Sequence, residues 1–85
     1  MEITFEITST CSGIVERVYP CESSYVHERE VVCRVRKEDG TVVGLYSQFG
    51  GTLSSLHIAE GYKVTPDMVV ATLKEKISAI GLSSD

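Results

Sequence analysis

The sequence predicts an all-β domain, a small barrel or sandwich made of short strands. Three observations carry this expectation: several segments alternate apolar and polar residues at period 2, no segment sustains a 3.6-residue period, and turn signals recur roughly every 8 to 12 positions. At 85 residues the chain makes one domain, of a size that buries only about 60% of its unfolded surface. Its composition, 42% hydrophobic and 24% charged with seven Gly and two Pro, is that of a globular protein and excludes disordered and collagen-like classes.

The first strand is read from Ile3, Phe5 and Ile7, which alternate with Glu2, Thr4, Glu6 and Thr8. Ser12-Gly13 then punctuates the chain. Ile14-Val15 and Val18-Tyr19 form a second apolar segment, closed by the turn Pro20-Cys21-Glu22-Ser23-Ser24. Val31, Cys33 and Val35 alternate with Val32, Arg34 and Arg36 and lead into Lys37-Glu38-Asp39-Gly40. Asp39-Gly40 between strand residues predicts a two-residue type I′ hairpin with φ > 0 at both positions, and a return strand over Thr41–Tyr46. Beyond Gly50-Gly51, Leu53, Leu56 and Ile58 supply a strand, Glu60-Gly61 a turn, and Met68–Leu73 the last strand. Lys74-Glu75-Lys76-Ile77 suggests the start of a short helical turn, and residues 77–85 a tail that frays at Ser83-Ser84-Asp85.

The chain also resembles itself at an offset of 38. Residues 9–35 written over 47–73 align Ser9 with Ser47, Gly13 with Gly51, Glu22 with Glu60, Val26 with Val64, and Val31-Val32 with Val69-Val70. Apolar character persists at Val15 with Leu53, Val18 with Leu56, Cys33 with Ala71 and Val35 with Leu73. A half with one apolar face is not stable alone, so two such halves are expected to close one core across a pseudo-twofold.

The second half, Gly50 through Leu73, with a glycine opening a strand, Glu60-Gly61 ten residues later, then Val64 and a final apolar strand, resembles the closing half of biotinyl and lipoyl carrier domains. The first half, Gly13 through Val35, resembles the opening half, so the resemblance covers about residues 3–76. It implies a flattened eight-stranded barrel, a barrel-sandwich hybrid whose two sheets are related by a pseudo-twofold. It also implies a lysine, at the tip of the hairpin joining the halves, that a ligase would join to biotin or lipoate. Counted back from Gly51, that position falls on Gly40, within Glu38-Asp39-Gly40-Thr41. Neither the methionine-flanked lysine of the biotinyl version nor the Asp-Lys of the lipoyl version is present; only Asp39 survives. Lys37 stands three residues before Gly40 as a displaced alternative acceptor for a carrier subunit of a carboxylase or 2-oxoacid dehydrogenase.

No cofactor is therefore expected, and no catalysis. His27 and His57 lack metal-ligand spacing, and Cys11, Cys21 and Cys33 have no adjacent histidine and no C-x-x-C spacing, so they read as reduced thiols of a cytoplasmic protein. Eight basic against twelve acidic residues, a net charge of -4, argue against nucleic acid and anionic membranes. No stretch approaches the ~18 apolar residues of a membrane helix. The expected activity is docking to a protein partner, with Glu38, Asp39, Gly40 and Thr41 as the protruding acidic tip. The N-terminal strand Glu2–Thr8 is the candidate edge for pairing two copies, with the oligomeric state open.

Overall fold

A computed structural model describes residues 1–76 of the chain; the tail expected over 77–85, and Ile77 with it, lies outside the described residues. These residues form eight strands and no helix: β1 Glu2–Thr8, β2 Gly13–Val18, β3 Tyr25–Val26, β4 Val31–Arg36, β5 Val42–Tyr46, β6 Gly51–Leu56, β7 Lys63–Val64 and β8 Val69–Lys76. They assemble into two four-stranded antiparallel sheets, β1-β8-β6-β3 and β5-β4-β2-β7. The all-β expectation holds. The hydrogen-bonded ladders do not close into a barrel, so β1, β3, β5 and β7 remain edges.

The alternation read in β1 is the burial alternation of the folded strand, with Ile7 buried, Ile3 and Phe5 half-buried, and Glu2, Thr4, Glu6 and Thr8 exposed. One core lies between the sheets and draws on both: Val15, Val32, Cys33, Val35 and Leu45 from one, Val26, Leu53, Val70, Ala71 and Leu73 from the other. Ile7 of β1, Val64 of β7 and Ile58 complete it; Ile58, expected in one strand with Leu53 and Leu56, lies beyond the end of β6 in the β6–β7 connection.

Strand order and geometry recur between the halves. Adding four to β1, β2, β3 and β4, and subtracting four from the others, converts one sheet's order into the other's. β2, β3 and β4 begin at residues 13, 25 and 31, and β6, β7 and β8 at 51, 63 and 69. Ser23 and Gly61 share positive φ (74° and 93°), as do Arg29 and Asp67 (both 70°). Ser9 and Ser47, the two buried polar residues among those described, make matching bonds: each hydroxyl donates to the carbonyl two residues on, in Cys11 and Phe49, and accepts from the same residue's N–H. The strands β3 and β7 escape a pattern-based reading because two residues show no period, yet they hold Val26 and Val64, both fully buried.

Two local expectations are corrected. Lys74-Glu75-Lys76 is strand, not a helical turn: β1 supplies a full ladder, pairing Thr4 with Lys74, Ile3 with Glu75 and Glu2 with Lys76. The β4–β5 hairpin is not a two-residue type I′ turn, since Asp39 lacks positive φ and only Gly40 has it, at 89°. The Gly40 N–H donates to the Lys37 carbonyl (3.0 Å) and the Lys37 N–H to the Thr41 carbonyl (2.8 Å), a three-residue loop with a left-handed glycine at its exit. Register decides this. Arg36 pairs with Val42 and Val35 with Val43; a two-residue loop would slip β5 by one position and put Val43 opposite Arg36, turning its apolar face toward water. Core burial overrides the local preference of Asp-Gly.

Candidate functional site

The strands β4 and β5 carry the hairpin tip. Glu38 and Asp39 occupy its two central positions, with Gly40 next, and all three are exposed, as is Thr41. Asp39 organises the turn: its Oδ1 accepts from the Thr41 N–H (3.0 Å) and the Thr41 hydroxyl (2.6 Å). Those bonds from Thr41, helped by the positive charge of Lys37, lower the Asp39 pKa below its ordinary value, so the tip is anionic at neutral pH. Gly40 faces open space, where an added Cβ would meet nothing within 4 Å. Lys37 begins the turn and is half-buried, with its backbone locked by the bond to Thr41.

Sequence reading gives a protruding acidic tip and nothing of what lies near it; the fold sets it beside a groove of about 850 Å³ lined by Ser12, Gly13, Ile14, Lys63 and Thr65 as well as by Arg36 through Asp39. This neighbourhood follows from β2 lying between β4 and β7, where Gly13 pairs with Val64 and Ile14 with both Arg36 and Lys63. The short strand β7, silent in the hydrophobic pattern, brings Lys63 there. The 38-residue offset held the one usable signal, because it maps Tyr25–Val26 onto Lys63–Val64.

The remaining chemistry-bearing residues stay apart. His57 Nε2 lies 3.1 Å from the Thr72 hydroxyl, and His27 packs edge-on against Tyr25 with ring centroids 4.9 Å apart. Cys33 is fully buried; desolvation, reinforced by Cys11 nearby, pushes its thiol up to about 11, which keeps it protonated and unreactive at neutral pH. Cys21 is exposed, Cys11 intermediate, and all three thiols are free. No three His, Cys, Asp or Glu side chains converge to hold a metal among the described residues, and among them no helix is long and apolar enough to cross a membrane. No protein-family model matches the sequence, and it finds no match among curated proteins.

Proposed function

We propose that this chain is a biotinyl/lipoyl-like domain without the modifiable lysine, a barrel-sandwich hybrid that works in the cytoplasm as a docking or accessory module and catalyses nothing itself. The observation that carries the reading is the hairpin joining the two halves, whose exposed tip is Glu38-Asp39-Gly40 with no lysine. The exchange of the two sheets under a four-strand displacement supports a duplicated scaffold, since independent halves have no reason to share positive-φ positions and buried serines at one offset. Matching turn chemistry and strand pattern together point the same way. The tip offers a partner an anionic feature, with the Asp39 carboxylate held by Thr41 and the exposed Glu38 preceding it in the chain, an arrangement that speeds encounter with a basic pocket and weakens with salt.

The half-buried position of Lys37 disfavours its use as an acceptor by a ligase that reads an exposed apex. Intact mass measurement of the protein recovered from its own cells tests the reading. The unmodified mass is expected, and a biotin or lipoyl adduct on Lys37 would overturn it in favour of a carrier subunit.

A further inference from the structure

Acidic residues outnumber basic ones twelve to eight in this chain, so arginines left without a carboxylate call for a physical reason. Two such arginines stand together on the outer face of the β5-β4-β2-β7 sheet. Arg17 and Arg34 are direct cross-strand partners, in a register set by the irregularity between Val15 and Arg17. Like charges directly opposite each other in an antiparallel pair destabilise it. The only carboxylate on these four strands is Glu16, which pairs with Arg36.

Tyr19 gathers the pair. Its hydroxyl accepts from Arg34 Nε at 2.7 Å, and its ring lies 5.9 Å from the Arg17 guanidinium carbon. Arg34 thus keeps its two terminal nitrogens for an outside acceptor. Its other cross-strand neighbour is Gly44, which has no side chain to cover it. In the adjacent row Arg36 is flanked by Ile14 and Val42, which are 45% and 40% exposed.

The geometry points to an anion-recognising face for an acidic, extended segment of a partner protein, with a carboxylate seated between Arg17 and Arg34 and apolar side chains resting on Ile14 and Val42. A carboxylate there relieves the repulsion between the two guanidinium groups and finds the planar donors that suit it. A polynucleotide suits the face less, because its affinity comes from many phosphate contacts along a broad basic surface. Here the net charge is -4, and Glu2 and Glu6 line the β1 edge. This inference stands independently of the family resemblance and of the hairpin tip.

Fluorescence anisotropy with a labelled peptide of alternating Glu and Leu, titrated with the full chain, tests it. Binding is expected to weaken with added salt and to fall about tenfold or more in Arg17→Gln and in Arg34→Gln, the loss expected for a charge-assisted hydrogen bond. Lys74→Gln on the opposite sheet should bind as the wild type does. Should Arg34→Gln fail to fold, Arg34→Lys, which keeps the charge and loses the fork, is expected to bind more weakly than wild type. Equal binding of a Gln-Leu peptide, unchanged affinity in the arginine variants, absence of binding at millimolar protein, or tighter binding of an oligothymidine would each overturn the inference.

Discussion

Gly13 opens β2 where two strands run too close for any side chain, and Gly13→Ala measures that closeness. A Cβ built on Gly13 would stand 2.3 Å from the Arg36 carbonyl oxygen and 2.7 Å from a Val35 methyl, whereas real Cβ contacts essentially never fall under 3.0 Å. The nearest obstacle is backbone, so no rotamer change relieves it; β2 and β4 must separate by at least about 0.7 Å, the difference between 3.0 and 2.3 Å. An opening of that size carries a ladder bond of ordinary length, about 2.9 Å, past the ~3.2 Å limit of good geometry. Val15 and Val35, both in the core, move with it. Overpacking with backbone shift costs about 2–3 kcal/mol, and a domain of this size loses roughly 4–8 °C per kcal/mol. A melting temperature lower by about 10–20 °C is therefore expected from circular dichroism.

Two comparison variants sharpen the reasoning. At Gly51 the nearest atoms lie at 3.1 and 3.2 Å, so Gly51→Ala asks for only a few tenths of an ångström and should cost about 1 kcal/mol. Gly40→Ala meets no atom and should cost about 1 kcal/mol through its left-handed φ alone. Gly13→Ala melting within a few degrees of wild type, or no lower than Gly51→Ala, would refute the argument that the β2–β4 approach is what requires glycine.

Two further outcomes are expected. Asp39 has a folded pKa lowered mainly by the Thr41 hydroxyl bond, so its stabilising contribution is complete above its ordinary value of 3.8 and fades as pH falls through the lower folded value. NMR titration should show Thr41→Val moving the Asp39 pKa upward, and an unchanged value would contradict the bond as cause. Ser9→Ala and Ser47→Ala each remove a buried hydroxyl that bonds both the carbonyl and the N–H of one loop residue, and each should lower stability by about 1–3 kcal/mol in urea unfolding. A loss at one serine and none at its counterpart would show that the two loops are not energetically equivalent.

The sequence was legible where the chain is periodic. Ile3, Phe5 and Ile7 declared β1 by themselves, and Cys33–Arg36 declared β4, because one buried face imposes alternation on a strand; Val32, read on the face of Arg34 and Arg36, is instead buried where the β4–β5 register shifts between Val31 and Cys33. It was misread where partners rather than local residues decide. Lys74–Lys76 carries helix-favouring residues, and they are extended because the edge of β1 pairs with them. Asp39-Gly40 favours a two-residue turn, and the burial of Val35 against Val43 forces a longer one. The acidic tip was visible as Glu38-Asp39; its groove was not, since Lys63 and Ser12 lie far from it in sequence.

By itself the sequence determined an all-β chain, its main strands, the spacing of 38 between like segments, and the acidic Glu38-Asp39-Gly40 turn at the hairpin. These are local or repeated properties, set by alternation, turn residues and residue identity. Only the tertiary structure decided the division into two open sheets, the place of the two-residue strands β3 and β7, and the meeting of Arg17, Arg34 and Tyr19 on one face. Each of these depends on register between strands distant in sequence, and register is chosen by which pairing buries the whole apolar set at once.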